Sequence, residues 1–331
     1  MNAPLLELRD VRVWFPVRRG VLSRVHGHVK AVEGVSLCMA PGEVLGLVGE
    51  SGCGKSTLAR AILMLQRPVS GEINVNGRNI YALTGAVARA IRRDVQIIFQ
   101  DPYASLNPRL PVYEIITEGM VAHGLIRPGE QQSVAAGLLS DVGMGADALY
   151  RYPHEFSGGQ RQRIGIARAL SMKPKLIVCD EAVSALDVSV QAQVINLLLS
   201  LKQKYGLSYL FISHDLSVVK FVADRVAVMY LGRVVEQGPV AEVMQNPRHP
   251  YTKALISSAP MVGGERGRIR PLAGEIPSVT NPPPGCPFHT RCPVAIPVCR
   301  EVYPATTQPA GGVEVACHLA AAISATGDNQ D

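Results

Sequence analysis

The nine residues GESGCGKST at positions 49–57 decide the fold of this chain. They match the pattern Gly-x-x-x-x-Gly-Lys-[Ser/Thr], and the continuous apolar run Val44–Val48 before them predicts a buried strand. Residues 58–65 have a helical pattern, so a strand, a glycine-rich loop and a helix follow one another as the motif requires. We therefore predict a phosphate-binding loop between a strand and a helix.

The residue types of this loop suit a nucleotide. Its glycines allow successive backbone N–H groups to point inward, and the following helix directs its positive dipole end at the same place. We expect Lys55 to reach the β- and γ-phosphates of ATP, Ser56 to bind Mg²⁺ and Thr57 to contact phosphate. The candidate ATP-binding residues are Gly49, Ser51, Gly52, Cys53, Gly54, Lys55, Ser56 and Thr57. The loop by itself does not distinguish a kinase, a GTPase, a motor or a transport ATPase.

The composition is that of a folded protein. Of 331 residues, 47% are apolar and 18% are charged, and 33 basic against 27 acidic residues give a net charge of +6. This balance excludes a disordered chain but selects no partner, because nucleic acid, an anionic membrane surface and ATP all suit it. The chain has no run of 18 uncharged apolar residues and no basic segment before an N-terminal apolar run. We therefore expect a cytosolic chain without a membrane span or a secretory signal.

Strand and helix patterns alternate along most of the chain, which predicts an α/β fold with a mostly parallel sheet. The predicted strands are residues 5–8, 11–15, 35–39, 44–48, 71–75, 95–100, 176–179, 209–213 and 226–230, and the later helices are 160–170 and 188–204. After about residue 246 the pattern becomes irregular, since 277–309 hold nine of the 24 prolines. We predict a first domain at 1–245, with a helical subdomain at about 101–170, and a C-terminal extension at 246–331.

A second candidate site lies at the end of the predicted strand 176–179, where Asp180 and Glu181 follow one another. Side chains alternate along a strand, so the two carboxylates are expected to point in different directions. Asp180 is suited to the coordination shell of Mg²⁺, and Glu181 to polarising an attacking water as a general base. Without the phosphate-binding loop, two acids at a strand end would fit a surface ion pair equally well.

The sequence FSGGQRQR at 156–163 resembles the signature loop of ABC ATPases, with Phe156 in place of the usual leucine. The order of the motifs is also that of an ABC nucleotide-binding subunit, and the resemblance covers residues 5–238. It implies the P-loop NTPase fold of ABC ATPases, with a RecA-like core, an antiparallel β subdomain and a helical subdomain, plus a cysteine-containing C-terminal extension. Ala182 departs from the pattern, because many members have proline there, but this change removes no charge.

The resemblance also implies roles for individual residues. Ser157 can cap the helix that begins near Gln160, and Gly158 and Gly159 expose N–H groups that bind the γ-phosphate of a nucleotide held by a second subunit. In the family, two subunits meet head to tail, and each ATP lies between one P-loop and the opposite signature. An isolated chain is therefore expected to hydrolyse ATP poorly.

Further roles follow in the same way. Gln100 resembles the residue that links Mg²⁺ and water to the helical subdomain, and His214 resembles the switch histidine at the γ-phosphate. Asp187 corresponds to a residue that touches the opposite active site, and Phe15, rather than its neighbour Trp14, to the aromatic residue that stacks on adenine. The implied catalytic residues are Glu181, His214 and Gln100, and the implied Mg²⁺ ligands are Ser56, Gln100 and Asp180.

Three stretches, 100–108, 183–191 and 246–252, closely resemble ATPases of oligopeptide and dipeptide importers, in particular the F-type subunit of a heterodimeric pair. The resemblance implies a subunit at the cytoplasmic face of the inner membrane that works with a paired ATPase, two permeases and, indirectly, an external peptide-binding protein. The permease helices would dock near residues 101–123. Nickel, glutathione or opine import is the alternative. A DNA-acting ABC ATPase is disfavoured, because only about 100 residues without heptads separate Thr57 from Ser157, and no nucleic-acid partner is expected.

Four cysteines lie close together in the proline-rich extension: Cys286, Cys292, Cys299 and Cys317. Clustered thiols in a reduced compartment indicate a metal more often than disulfides. Paired zinc ligands are usually two to four residues apart, which fits poorly here. Resemblance to the peptide-importer group implies a [4Fe–4S] cluster, with zinc as the alternative and His289 and His318 as substitute ligands. A chain without metal is the third possibility.

Overall fold

The computed structural model describes residues 3–19, 24–258, 274–309 and 311–320. The chain divides into two compact units, and each is built from separated segments. The first unit comprises Met1–Leu5, Met39–Glu43 and Val75–Ile212, and the second comprises Leu6–Cys38, Val44–Asn74 and Ser213–Asp331. The predicted boundary between residues 245 and 246 is a different kind of division, and it stays a prediction.

The elements alternate as the sequence predicts. The strands are β1 (Leu6–Arg19), β2 (Arg24–Met39), β3 (Val44–Val48), β4 (Ser70–Val75), β5 (Arg78–Asn79), β6 (Val95–Ile98), β7 (Leu176–Asp180), β8 (Ser208–Ser213), β9 (Arg225–Tyr230), β10 (Arg233–Pro239) and β11 (Glu314–Val315). The α-helices are α1 (Lys55–Ile62), α2 (Gly85–Asp94), α3 (Pro102–Ser105), α4 (Val112–Ala122), α5 (Gln131–Asp141), α6 (Gly158–Ser171), α7 (Val188–Tyr205), α8 (Leu216–Val222), α9 (Val240–Gln245) and α10 (Pro250–Ser258). Within the described ranges, no helix is both long and apolar enough to cross a bilayer.

In the first unit, β6, β7 and β8 lie side by side in that order and run parallel. Every residue of β8 is buried, and so are the first four of β7, as expected for strands with helices on both faces. Helices α4, α5 and α6 pack on one another in the same unit. Because parallel strands end at the same edge of a sheet, the residues that follow β6 and β7 come close together there.

In the second unit, β3 pairs with β9 in parallel, and β9, β10 and β11 continue as antiparallel neighbours. A separate sheet contains β2, β1 and β4 in that order. All five residues of β3 are buried, and α8 packs on this strand. The buried strand therefore holds the start of the phosphate-binding loop at a fixed place.

Some elements differ from the sequence-based expectation. The predicted strands 5–8 and 11–15 form one strand, β1, which continues through Asp10 although that residue adopts a φ of 47°; the Asp10 N–H donates to Ser36 Oγ at 2.9 Å. Helix α1 begins at Lys55 instead of residue 58, directly after Gly54. Helix α2 and strand β10 were not predicted. In α2 only Ile91 is buried, and its short apolar face consists of Val87, Ile91 and alanines.

Candidate functional site

The phosphate-binding loop of the second unit has a backbone that only glycine can adopt at two places. Gly49 has a φ of +151°, and a Cβ there would lie 2.1 Å from the Met229 carbonyl oxygen. Gly54 has a φ of +107°, and a Cβ there would lie 2.1 Å from the Ala31 carbonyl oxygen. Any side chain at either position would therefore force the loop apart. The glycines keep the loop tightly curled at the N-terminus of α1, where N–H groups and the helix dipole favour an anion.

Lys55 places its ammonium group inside this loop. The residue is 4% exposed, and its Nζ donates to the carbonyl oxygens of Gly49 at 2.7 Å and Glu50 at 3.0 Å. Cys53 Sγ lies 3.7 Å from the same nitrogen. Burial raises the pKa of the Cys53 thiol although Lys55 acts against it, so Cys53 stays neutral and contributes its backbone. The loop thus presents one fixed positive charge at the N-terminus of α1, which suits a polyphosphate.

Sequence reasoning missed two residues that hold this loop in place, Tyr251 and Arg291. The backbone N–H of Glu50 donates to Tyr251 Oη at 2.9 Å, and the Glu50 carboxylate accepts two hydrogen bonds from Arg291, at 2.7 and 3.0 Å. Tyr251 lies in the 246–252 stretch, whose sequence shows a family resemblance but no link to the loop. No sequence signal connects Arg291 to a loop 241 residues away.

The first unit brings Gln100 and Glu181 together, as the ends of parallel strands predict. Gln100 Nε2 donates to Glu181 Oε2 at 2.9 Å and lies 3.5 Å from Ser184 Oγ. Glu181 has a φ of 49°, which is unusual for a residue other than glycine, and its N–H donates to the Ile212 carbonyl oxygen at 3.0 Å. Asp180, the preceding residue, ends β7. The backbone thus turns sharply between the two carboxylates and aims Glu181 toward Gln100.

The signature loop begins α6 as predicted. Ser157 is the N-cap, with its Oγ accepting from Gln160 N–H at 3.4 Å while Gln160 Oε1 accepts from Ser157 N–H at 3.0 Å. This reciprocal capping box leaves the N–H groups of Gly158 and Gly159 at the start of the helix. A Cβ on Gly159 would lie 2.4 Å from Val190 Cγ1 of α7, so glycine is required by packing as well.

The two departures from the family pattern are both buried. Phe156 is 4% exposed, with the guanidinium of Arg151 over its ring at 4.3 Å, so it fills an apolar site as leucine would. Ala182 is 1% exposed, so packing restrains this position, where many family members have a proline ring.

The remaining predicted residues are spread over the two units. Asp187 is the exposed N-cap residue of α7 in the first unit, beside Val188, which is 83% exposed. In the second unit, His214 follows β8 and is exposed, and Phe15 is half-buried on β1. Its neighbour Trp14 points to the other face of the strand and donates from Nε1 to Glu33 Oε2 at 2.7 Å. The indole N–H of Trp14 is therefore already hydrogen-bonded within the chain, which is consistent with Phe15 as the aromatic residue at adenine.

The predicted metal site gains no support from the structure. Cys286, Cys292, Cys299 and Cys317 line one cavity together with His289 and His318. Among the residues that the structure describes, however, no three His, Cys, Asp or Glu side chains form a group that could hold a metal ion. The cavity measures about 10 Å³, which is room for about one water molecule.

Comparison with known proteins decides the family. The profile of the ABC transporter family matches residues 32–184, and that of the oligopeptide/dipeptide transporter C-terminal region matches residues 235–299. Over 95% of its length and 97% of the relative's, the chain is 52% identical to the oligopeptide transport ATP-binding protein AppF of Bacillus subtilis (strain 168). The chain belongs to the ABC transporter family.

Other ABC proteins agree with this assignment. The chain is 50% identical to the oligopeptide transport ATP-binding protein OppF of Escherichia coli (strain K12), over 91% of its own length and 92% of OppF. A dimeric structure of the ATP-binding cassette MJ0796, in a post-hydrolysis state bound to ADP and Pi, covers 71% of this chain and 98% of MJ0796, with 27% identity and a TM-score of 0.62. The predicted ABC ATPase fold is thereby confirmed, and the chain is an ATPase of this family.

Proposed function

We propose that this chain is the ATP-binding and ATP-hydrolysing subunit of an ABC importer that energises the uptake of di- or oligopeptides across the inner membrane. The observation that carries the peptide assignment is the likeness, along nearly the whole chain, to ATP-binding proteins named for oligopeptide transport. The match of the C-terminal region to the oligopeptide/dipeptide transporter group supports it independently of the ATPase motifs. In this proposal the chain works at the cytoplasmic face of the membrane, bound to permease subunits.

The phosphate-binding loop receives the polyphosphate of ATP in this proposal. Lys55 exchanges its hydrogen bonds with the loop carbonyls for the β- and γ-phosphate oxygens, and the N–H groups of the loop surround the same charge. Thr57 adds a hydroxyl, and Phe15 stacks on adenine. The tight backbone at Gly49 and Gly54 supports this role, since it brings the N–H groups close to a bound anion.

Hydrolysis is assigned to the end of β7. Glu181 accepts a proton from a water molecule as the water oxygen attacks the γ-phosphorus, and the bond from that phosphorus to the β–γ bridging oxygen breaks, releasing ADP and inorganic phosphate. Gln100 orients Glu181 through their 2.9 Å hydrogen bond, and His214 contacts the γ-phosphate. The oxygen donors of Ser56, Gln100 and Asp180 are of the type that Mg²⁺ takes, and the ion would neutralise charge on the phosphates.

We assign the signature residues to the nucleotide of a partner ATPase. The capped start of α6 offers the N–H groups of Gly158 and Gly159, which is the arrangement that binds an anion at a helix N-terminus. Ser157 and Gln160 hold these groups in place, and the exposed Asp187 reaches the partner's site. A heterodimer with a second ATPase and two permeases that dock near residues 101–123 completes the proposed machine.

Uptake of labelled peptides tests the substrate class. In a strain that lacks this gene, accumulation of labelled di- and tripeptides is expected to fall and to return when the intact gene is supplied. Labelled nickel, glutathione and an opine are the comparison arms. Loss of uptake of one of these solutes with normal peptide uptake would overturn the peptide assignment and leave the ATPase assignment standing.

The metal content of the cysteine segment is a separate question, and the [4Fe–4S] cluster that the resemblance implies has no support in the part of the chain that the structure describes. Metal analysis of anaerobically purified chain distinguishes a four-iron cluster, zinc and a chain without metal. About four irons per chain with absorbance near 400 nm would reinstate the cluster. One zinc per chain would reinstate the alternative.

A further inference from the structure

Within the second unit, a residue of the C-terminal extension forms hydrogen bonds with the phosphate-binding loop. Arg291 donates from both terminal nitrogens to the two carboxylate oxygens of Glu50, at 2.7 and 3.0 Å. The Arg291 side chain is 3% exposed, and that of Glu50 is 20% exposed. These hydrogen bonds raise the pKa of Arg291 despite its burial, so the guanidinium keeps its charge. A parallel, two-bond arginine–carboxylate pair fixes orientation as well as distance.

A buried cluster of three aromatic residues lies beside this loop. Tyr230, Tyr251 and Phe288 are almost fully buried, and their ring centroids lie 4.6 to 5.4 Å apart. Tyr251 Oη accepts from Glu50 N–H at 2.9 Å, so this cluster contacts the backbone of the loop while Arg291 holds its side chain. Glu50 is therefore fixed at two points, by Tyr251 of α10 and by Arg291 of the proline-rich segment.

The charge of Glu50 makes this brace relevant to nucleotide binding. Glu50 is the second residue of the loop, beside Gly49, and its carbonyl oxygen already accepts a hydrogen bond from Lys55 Nζ at 3.0 Å. A carboxylate at the edge of an anion site repels a polyphosphate unless another charge offsets it. The Arg291 guanidinium offsets it and also prevents Glu50 from turning back to pair with Lys55, which would cancel the charge that faces the phosphates.

We propose that Arg291 is a positioning residue for the phosphate-binding loop: its guanidinium neutralises and orients Glu50, so that the C-terminal extension sets the affinity of this chain for nucleotide. This inference rests on the proposed function, because it takes the loop to be the ATP site. Arg291 does not touch the nucleotide and acts through Glu50. The extension thus has a role in the ATPase that requires no metal.

Isothermal titration of the full chain with MgADP tests this proposal. Arg291→Gln leaves Glu50 without its countercharge, and the dissociation constant is expected to rise about tenfold, which corresponds to about 1.4 kcal/mol. Arg291→Lys keeps the charge but loses the two-bond geometry, so it is expected to lie between wild type and Arg291→Gln. Arg9→Gln, which removes an exposed arginine paired with Glu7 at 2.9 Å, is the matched control and is expected to leave the constant unchanged.

The double variant Glu50→Gln/Arg291→Gln separates positioning from simple structural damage. It removes both charges, leaves no unpaired buried ion and is expected to fold even where Arg291→Gln does not. Its dissociation constant should return to within about threefold of wild type, a difference below 1 kcal/mol. A double variant as weak as Arg291→Gln, or an Arg291→Gln variant that binds like wild type, would overturn the proposal. Wild-type chain that binds no MgADP would instead overturn the proposed function.

Discussion

Replacing Gly159 by alanine probes the contact between the signature loop and α7. The new methyl carbon would lie 2.4 Å from Val190 Cγ1, whereas carbon atoms pack at about 3.5–4.0 Å, so the Val190 side chain or one of the two helices must shift by about 1 Å. Overpacking of this kind costs about 1–3 kcal/mol. The higher helix propensity of alanine stabilises the helix by about 0.5–1 kcal/mol. We therefore expect the free energy of unfolding to fall by about 1–2 kcal/mol in total.

A second glycine of the same helix is the control. Gly165 is buried, and a Cβ there meets nothing within 4 Å, so Gly165→Ala is expected to stabilise the chain by about 0.5–1 kcal/mol. Urea unfolding followed by circular dichroism measures both variants against wild type. Val190→Ala added to Gly159→Ala makes room for the methyl group and should recover most of the loss. If Gly159→Ala proves as stable as Gly165→Ala, the packing of α6 against α7 is not as described.

Three further changes test other parts of the account. Lys55→Ala removes the charge inside the loop and is expected to weaken MgATP binding about tenfold or more, measured by titration, because a charged hydrogen bond contributes about 1.5–3 kcal/mol. Ser157→Arg should spare nucleotide binding by its own loop but reduce hydrolysis at the partner's site, measured in the assembled pair with the partner's nucleotide labelled. Burial lowers the pKa of His249 to about 3. Between about pH 6.5 and pH 3, His249 is therefore protonated in the unfolded chain but neutral in the folded chain. Stability should therefore fall by about 1.4 kcal/mol per pH unit from about pH 6 toward pH 3, and His249→Asn, which keeps an acceptor for Tyr251 N–H but does not titrate, should remove that slope.

The parts of the site that the sequence predicted are those determined by local pattern. The strand β3, the curled loop after it and the capping box of Ser157 each depend on residues within about ten positions of one another, so a single stretch of sequence specifies them. The contact between Gln100 and Glu181 can also be inferred from the sequence pattern, because both residues follow parallel strands that end at one edge of the sheet.

The parts that the sequence did not predict depend on distant partners. Arg291 and Glu50 are 241 residues apart, and neither stands out in composition or spacing. Strand β10 contains Glu236, a fully buried carboxylate that breaks the apolar pattern because it accepts from the N–H groups of Arg248 and His249. The cysteine spacing indicated a metal, and the four thiols do line one cavity, but in the described residues they do not form a group that could hold a metal ion.

The most direct test of the ATPase assignment is the turnover of Glu181→Gln in the assembled transporter. The amide keeps the size of the side chain and a hydrogen bond to Gln100 but accepts no proton from water. ATP binding should therefore stay within about threefold of wild type, while hydrolysis should fall by about 10² or more and ATP-bound closed dimers should accumulate. Glu72→Gln, which removes an exposed carboxylate of β4, is the control and should turn over normally. Near-normal hydrolysis by Glu181→Gln would contradict the assignment of Glu181 as the general base and, with it, the account of how this chain hydrolyses ATP.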